Sequence, residues 1–216
     1  MKILVGARNS LLSQVQVQEV LLEIQSFFPE IRFDPVFVKT SGDLDQKTSL
    51  RDLEKTDFFT KEIDRMVLSK KIRIAVHSAK DLPDPLPPGL AVVALTKGKD
   101  PSDCLVMREG DSLERLPKNA VIGTSTRRRE EAVLRLRSDI LLKDLRGDIL
   151  QRLQQLEKRA FDGIILAEAA ILRLKLHHLN RMILPGETAP LQGRLAVVAR
   201  KDDGLMRKLF SQIHFS

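Results

Sequence analysis

The sequence predicts an α/β protein of two lobes, each built on a mixed, parallel-rich sheet. Short β-branched runs alternate with longer amphipathic stretches along the 216 residues. Strands that alternate with helices in this way form sheets that are covered on both faces. Gly and Pro interrupt the alternation at residues 98–101, after which it begins again. We therefore expect two lobes that are joined near residues 96–100, with a cleft between them.

The first series begins with a strand at residues 2–6. A helix over 11–28 follows, because apolar residues recur at helical spacing from Leu11 to Ile24 and Pro29 ends the pattern. The later apolar runs of this series predict an amphipathic helix at 58–68 and three strands, at 33–39, 72–77 and 90–95.

The second series follows the same alternation. Its β-branched runs predict strands at 104–108, 120–123, 140–144, 163–167 and 195–200. Its amphipathic stretches predict helices at 126–137, 149–159, 169–174 and 204–216. The series is long enough to build a second sheet with helices on its faces.

The charge of the chain indicates an anionic partner. There are 36 basic and 29 acidic residues, which give a net charge of +7. Eight arginines lie between Arg127 and Arg159, mixed with acidic residues and with Leu at helical spacing. This distribution is typical of separate arginines on folded elements and not of a basic tail. Nine Phe and no Trp or Tyr offer few stacking platforms for bases, so nucleic-acid binding is disfavoured.

Several other classes of protein are disfavoured as well. The single cysteine, Cys104, excludes a disulfide framework within the chain, and the histidines lack metal-ligand spacing, so we expect no bound metal. No apolar run approaches the roughly 18 residues of a membrane span, and residues 1–6 begin with a strand pattern and not a secretory signal. We therefore expect a cytoplasmic protein without a membrane partner. Phosphate-loop, dinucleotide and nucleophile-elbow motifs are absent, which argues against an ordinary nucleotide enzyme.

Polar clusters follow four of the predicted strands, where ligand sites of α/β sheets lie. They occupy residues 6–10, 77–81, 123–129 and 145–148. The second cluster contains Lys80 and Asp81, which combine a cation for an anionic group with a carboxylate that can accept or donate a proton. Such a pair is common, and alone it does not identify a catalytic site.

The third cluster opens a predicted helix with the segment Gly-Thr-Ser-Thr. Its backbone N–H groups and hydroxyls can bind an anion, but Thr124 or Ser125 is equally well explained as a simple N-cap. Arginines follow on the first helical turn, where the helix dipole gives a cation no stabilisation. They belong to a set that fits bidentate binding of carboxylates: Arg128, Arg129, Arg146 and Arg152.

Nine segments are specific when their order and spacing are taken together. They are GARNSLLSQVQ, TSGD at 40–43, FFTKEI at 58–63, IAVHSAKDLP at 74–83, DPSD at 100–103, IGTSTRRRE, DLRGD, FDGIILAEAA at 161–170 and LQGRLAVVAR. In these segments, over nearly the whole chain, the sequence resembles the porphobilinogen deaminase (hydroxymethylbilane synthase) family. The resemblance implies two lobes like those of type II periplasmic binding proteins, the first at 1–96 plus 190–216 and the second at 100–188.

The resemblance also implies a chemistry. Members of the family are transferases of haem biosynthesis that join four porphobilinogen molecules head to tail, release ammonia, prime the chain on a dipyrromethane cofactor and act as monomers. Asp81 would be the catalytic carboxylate, which assists departure of the ammonium group and stabilises a cationic azafulvene-like intermediate. The cofactor carboxylates would be held by Lys80, Thr126, Arg128, Arg129 and Arg146. The carboxylates of the substrate or growing chain would be held by Arg8, Ser10, Arg146 and Arg152.

Three features depart from the family pattern. The third family domain, which carries the cofactor cysteine, is not expected here, and Cys104 lies in a predicted strand where the family has no attachment site. The Gly-rich active-site loop of the family reads Glu54-Lys55-Thr56-Asp57, and its Gly-Gln-Gly segment reads Leu191-Gln192-Gly193-Arg194. The arginine set, and not Cys104, is therefore expected to hold a dipyrromethane.

Three interpretations stay open from the sequence. The first is a short porphobilinogen deaminase, favoured by the retention of Asp81, Lys80 and the family arginines. The second is a protein that binds a pyrrole or another polycarboxylate without turnover, favoured by the missing cofactor cysteine and loop glycines. The third is a two-domain fragment of a longer enzyme.

Overall fold

The computed structural model describes residues 2–45, 48–49, 51 and 56–215. The chain divides into two compact units. Unit 1 comprises Met1–Asp45, Glu54–Lys99 and Gly193–Ser216, and unit 2 comprises Gln46–Leu53 and Asp100–Gln192. Of the segment Glu54-Lys55-Thr56-Asp57, Glu54 and Lys55 lie outside the described residues.

Ten strands and seven α-helices are formed by the described residues. The strands are β1 (Lys2–Arg8), β2 (Arg32–Val38), β3 (Ile74–Ser78), β4 (Leu90–Leu95), β5 (Asp103–Met107), β6 (Val121–Thr124), β7 (Leu141–Asp144), β8 (Gly163–Ala167), β9 (Arg181–Ile183) and β10 (Leu195–Arg200). The helices are α1 (Leu11–Phe27), α2 (Ser41–Leu44), α3 (Lys61–Leu68), α4 (Arg127–Leu136), α5 (Ile149–Glu157), α6 (Glu168–Arg173) and α7 (Gly204–Phe210).

Unit 1 is built on a five-stranded sheet in the order β2-β1-β3-β10-β4. β1 pairs in parallel with β2 and β3, whereas β10 runs antiparallel between β3 and β4. Alternate residues of the central strands point to opposite faces. One face packs on α1 and α7 in a core that includes Val5, Val17 and Phe210. The other face packs on α3 in a core that includes Ile63 and Ala75.

Unit 2 repeats this arrangement with a sheet in the order β7-β6-β8-β5-β9. β6 pairs in parallel with β7 and β8, and β5 runs antiparallel to β8 and β9. Two apolar cores flank this sheet, one around Leu105, Ile122 and Val133 and the other around Leu156 and Ile164. Each unit therefore combines parallel and antiparallel pairs, as the sequence predicts for mixed sheets.

The observed elements follow the predicted ones with a few corrections. The strands 90–95, 163–167 and 195–200 have the predicted bounds. The helix predicted at 58–68 begins only at Lys61, and the helix predicted at 204–216 ends at Phe210 and continues as a 3₁₀ turn, Ser211–Ile213. The elements α2 and β9 have no counterpart in the prediction. No helix among the described residues combines the length and apolar character that crossing a membrane requires.

Leu191 adopts a left-handed backbone conformation, with φ of 60°, and its side chain is exposed. This conformation costs a residue with a Cβ about 1–2 kcal/mol, and glycine adopts it freely. The resemblance described above places a family glycine at this position. Leu191 therefore carries backbone strain that its side chain does not offset by burial.

We expect the Leu191→Gly variant to have a free energy of unfolding about 0.5–1 kcal/mol higher than the wild type. The relief of strain exceeds the entropy that a glycine adds to the unfolded chain. Urea denaturation of both proteins measures the difference. Leu191→Ala is the matched control, because it removes the side chain but keeps the Cβ. An equal gain in both variants would show that the side chain, and not the backbone, is the source.

Candidate functional site

Four of the predicted site residues lie at or just after the carboxyl ends of two strands in the unit 1 sheet. Arg8 ends β1 and Ser10 follows it, while Lys80 and Asp81 lie in a 3₁₀ turn, Ala79–Asp81, directly after β3. β1 and β3 are neighbouring parallel strands, so their carboxyl ends lie side by side. This is the edge at which α/β sheets bind ligands.

The side chain of Arg8 is held on two sides. Its Nε donates to Oδ1 of Asp43 at 3.0 Å, Nη2 forms an ion pair with the same carboxylate, and the guanidinium lies 4.2 Å from the ring centre of Phe59. Partial burial raises the pKa of Asp43, but the hydrogen bonds and charge of Arg8, with donors from Thr40, outweigh it and the pKa is lowered. Arg8 is thus presented as a fixed cation and not as a mobile one.

Ser10 and Ser78 connect this edge to α1. Ser10 is the N-cap of α1, where its hydroxyl accepts from the backbone N–H of Ser13 at 3.2 Å. Ser78 lies at the end of β3, and its hydroxyl accepts from Nε2 of Gln16 at 2.9 Å. The hydroxyl of Ser10 therefore has a structural role in addition to the substrate contact predicted for it.

Asp81 is half-buried, and no hydrogen bond or ion pair engages its carboxylate within the described residues. The turn that carries it is fixed through its backbone. The N–H of Ala79 donates to the carbonyl of Arg194 at 3.0 Å, and that of Leu82 donates to the carbonyl of Ala79 at 3.3 Å. Asp81 therefore combines a defined backbone position with a carboxylate that can engage a ligand.

The second group of predicted residues follows the carboxyl ends of two strands in the unit 2 sheet. β6 and β7 are parallel neighbours with Thr124 paired to Asp144, so the segments after both strands start together. The N-cap of α4 is Thr126, and its side chain makes no capping bond. The hypothesis that Thr124 or Ser125 is the N-cap is therefore wrong.

The hydroxyls of this segment have different partners. Ser125 donates to the carbonyl of Leu145, which ties the two loops together. The buried hydroxyl oxygens of Thr124 and Thr126, and Oδ1 of Asp144, find no hydrogen-bond partner within the part of the chain that the structure describes. Buried polar atoms of this kind call for an explanation, and one explanation is a ligand.

Arg128 and Arg129 both bind the buried carboxylate of Asp103. Nη2 of Arg129 lies 2.6 Å from Oδ1, Nη1 of Arg128 lies 2.6 Å from Oδ2, and Gln192 donates to Oδ1 at 2.9 Å. Burial raises the pKa of Asp103, but the charge and hydrogen bonds of Arg129, helped by Gln192 and Arg128, lower it overall. The Arg129 side chain is only 7% exposed, so it also anchors unit 2 internally.

Arg146 and Arg152 flank a tight turn between β7 and α5. Gly147 has φ of 103°, and a Cβ there would lie 2.8 Å from Oε1 of Gln151. Nε of Arg152 donates to the carbonyl of Gly147 at 2.8 Å, and Asp148 caps α5 in a capping box with Gln151. The turn fixes the backbone that presents both arginines.

Cys104 is fully buried, and its thiol lies 3.4 Å from the carbonyl of Leu166. Burial, followed by the nearby charge of Glu168, raises its pKa. Thiols in such surroundings are unreactive. Among the described residues, no group of three or more His, Cys, Asp or Glu side chains is arranged to hold a metal ion.

The structure thus groups Arg8, Ser10, Lys80 and Asp81 in unit 1. It groups Thr126, Arg128, Arg129, Arg146 and Arg152 in unit 2. Sequence reasoning missed the partners of these residues, which are Asp43 and Phe59 for Arg8 and Asp103 for the two arginines of α4. The segments TSGD, FFTKEI and DPSD contain all three partners. The presence of these segments among those that match the family was the signal that could have pointed to the partners.

The chain is similar in sequence to known proteins of one family. The family model described as porphobilinogen deaminase, dipyromethane cofactor binding domain, matches residues 3–208. The porphobilinogen deaminase of Clostridioides difficile is 37% identical over 217 residues, which cover 99% of this chain and 72% of the relative. That of Rickettsia prowazekii is 39% identical over 97% of this chain and 72% of the relative, and that of Thermus thermophilus is 39% identical over 98% and 70%.

Solved structures with little sequence identity share the fold. The OxyR2 regulatory domain from Vibrio vulnificus matches with a TM-score of 0.56 and 15% identity, over 99% of this chain and 92% of that domain. CbnR, a LysR family transcriptional regulator, matches with a TM-score of 0.58 and 11% identity, over 98% of this chain and 68% of that protein. The predicted α/β fold class, that of type II periplasmic binding proteins, is confirmed.

Proposed function

The chain belongs to the porphobilinogen deaminase family, and we propose that it is an active member, which joins four porphobilinogen molecules head to tail and releases ammonia. The observation that carries this proposal is Asp81. Its carboxylate is held by a fixed turn, has no partner among the described residues, and leaves the same sheet edge as Arg8. Arginines suffice to bind carboxylates, so a carboxylate at this edge favours a contact with a cationic or N–H group of the ligand.

The substrate would be held through its carboxylates. Each porphobilinogen carries an acetate and a propionate, so a growing chain gains about two negative charges per ring, and guanidinium groups bind carboxylates bidentately. We assign this task to Arg8 with Ser10 in unit 1 and to Arg146 and Arg152 in unit 2. The fixed orientation of Arg8 against Asp43 and Phe59 limits the entropy lost on binding.

The residues of unit 2 also fit a dipyrromethane. Its carboxylates match the cations Arg128, Arg129 and Arg146, while its pyrrole N–H groups match the buried acceptor oxygens of Thr124, Thr126 and Asp144. When bound, the cofactor supplies the pyrrole carbon on which the chain is built. Cys104 is not available for a covalent bond to it, so within this chain the arginine set would hold it.

Asp81 would act where positive charge develops. Loss of ammonia from the aminomethyl group leaves a cationic pyrrole, and a carboxylate placed beside it stabilises that charge more strongly than water does. The same carboxylate can orient a pyrrole N–H group and move a proton at the leaving nitrogen. Lys80 precedes Asp81 in the chain. Its ammonium group would hold a carboxylate of the ligand, so that this carboxylate does not repel the carboxylate of Asp81. We further propose that the protein acts as a cytoplasmic monomer.

The proposal is tested by incubating the purified 216-residue protein with porphobilinogen and following its consumption. The product is oxidised to uroporphyrin and measured by absorbance, and the intact mass is recorded in the same experiment. We expect turnover, with no mass adduct on Cys104. If the protein consumes no porphobilinogen but is thermally stabilised by it, the proposal of an enzyme is wrong and the protein binds pyrroles without turnover.

We expect Arg146→Leu to weaken binding of porphobilinogen about 10- to 100-fold. The variant removes charge-assisted hydrogen bonds to a carboxylate, which contribute about 1.5–3 kcal/mol. Calorimetric titration measures the dissociation constant. Arg135→Leu is the control, because Arg135 is a largely exposed arginine on α4 that pairs only weakly with Glu131, at 3.9 Å. Equal losses in both variants would mean that general charge, and not a site at Arg146, attracts the substrate.

A further inference from the structure

Several buried polar atoms at the start of α3 and at the end of β3 have no role in the mechanism. Five side-chain atoms are buried without a hydrogen-bond partner among the described residues: Oγ1 of Thr60, Oε2 of Glu62, both carboxylate oxygens of Asp64, and Nε2 of His77. Asp64 and His77 are 2% and 5% exposed. A buried carboxylate without donors is costly unless a cation or proton compensates it.

The nearest ion partner of Asp64 in the described part of the chain is His77. Oδ1 of Asp64 lies 3.5 Å from Nε2 of His77, a contact that is longer than a good hydrogen bond and is an ion pair only when the imidazole carries a second proton. The surroundings are apolar, since Ile63, Val67 and Ala75 form the core on this face of the sheet. The other carboxylate of α3, Glu62, accepts from the backbone N–H of Ser41 through Oε1 at 3.1 Å and lies two residues from Asp64, off its side of the helix.

Asp64 and His77 connect α3 to the end of β3. His77 is the penultimate residue of β3, and because strand residues alternate it points to the α3 face, whereas Ser78 points to α1 and binds Gln16. Only three residues separate His77 from Asp81. A contact between α3 and this strand end therefore sets where the turn with Lys80 and Asp81 starts.

We propose that the buried Asp64–His77 pair positions the carboxylate of Asp81 by fixing the end of β3 against α3. The inference rests on the proposed function, and it makes His77 and Asp64 positioning residues that do not touch the substrate. Three contacts hold this strand end from different sides. Gln16 contacts Ser78 on one face of the sheet, and Asp64 contacts His77 on the other. The backbone N–H of Ala79 donates to the carbonyl of Arg194.

The proposal is tested with two substitutions at one position. His77→Gln keeps an N–H donor near the place of Nε2, whereas His77→Leu keeps volume but removes the donor. We expect His77→Leu to lower kcat at least about tenfold, because small misplacements of a reacting group have large effects on rate. KM for porphobilinogen should change less than about threefold, since the arginines bind the substrate. The kcat of His77→Gln should lie within about threefold of the wild-type value.

A second readout does not depend on activity. Amide hydrogen exchange of the segment 78–82 should be faster in His77→Leu than in the wild type and near wild type in His77→Gln. The control is Arg73→Gln, which breaks the ion pair of Arg73 with Asp203, at 2.9 Å, just before the opposite end of β3. It should lower thermal stability without changing kcat or the exchange of 78–82.

The outcomes separate the two proposals. If His77→Leu and His77→Gln have the same kcat and the same exchange rates, the positioning role is refuted. If the wild-type protein has no turnover, the proposed function fails, while the exchange rates still decide whether the pair fixes the turn.

Discussion

We expect Asp81→Asn to lower the turnover of porphobilinogen by about 10²- to 10⁴-fold, which is the range for loss of a positioned acid–base group. The amide has nearly the shape of the carboxylate, but it carries no charge and cannot take up a proton. It therefore neither stabilises the cation that forms as ammonia leaves nor moves a proton at the leaving nitrogen. Single-turnover and steady-state assays with porphobilinogen measure the effect.

Binding should survive the same change. The substrate carboxylates are assigned to Arg8, Arg146 and Arg152, so the dissociation constant of porphobilinogen should stay within a few-fold of the wild type. Asp34→Asn is the matched control, because it removes an aspartate that pairs with Lys2 on the surface of the same unit, at 2.6 Å. Turnover by Asp81→Asn at the wild-type rate would refute the assigned mechanism.

The second large effect is on stability. We expect Asp103→Asn to lower the free energy of unfolding by about 3–5 kcal/mol, because it leaves the buried guanidinium of Arg129 without its anion. One carboxylate oxygen becomes an NH₂ group, which faces either Arg128 at Oδ2 or Arg129 and Gln192 at Oδ1 with a donor in place of an acceptor. Denaturant unfolding measures the loss. Glu131→Gln on the exposed face of α4 is the control and should change stability by less than about 0.5 kcal/mol.

The pH dependence of stability should change in the same variant. The pKa of Asp103 is lowered in the folded protein, so its contribution is complete above the unfolded pKa of about 3.9 and is lost as the pH falls through the folded pKa. Wild-type unit 2 should therefore lose stability below about pH 4, and Asp103→Asn should lose less over that interval. Parallel acid slopes in the two proteins would contradict the ion network.

Local sequence patterns predicted most of the fold. The strand 163–167 has the predicted bounds because its apolar run is buried from Gly163 to Leu166 and α6 begins directly after Ala167. The helix expected from residue 58 begins at Lys61, because the backbone N–H of Thr60 donates to Asp57 in a turn. Phe58 approaches Gly42 so closely that a Cβ at Gly42 would lie 2.6 Å from the Phe58 carbonyl. That contact is tertiary, and no periodicity in the sequence records it.

The sequence proposes the residues of the candidate site but not the side chains that contact them. Asp81 and the arginines follow predicted strands, and the order of strands brings them to sheet edges. Arg129 binds a carboxylate 26 residues away, and the sequence alone does not say whether an arginine on a first helical turn faces a ligand or the interior. The pair of Asp64 and His77 was missed because each residue, taken singly, reads as part of an ordinary helix or strand.

The central position of β10 has a consequence for biosynthesis. Residues 195–200 fill the gap between β3 and β4, although they are synthesised about a hundred residues after β4. A nascent chain that has not reached residue 195 leaves both of those strands with an open edge. The unit formed mainly by residues 100–192 has all its strands by then. We therefore expect unit 2 to fold first on the ribosome, and ribosomes stalled before residue 195 to carry chains that depend on chaperones.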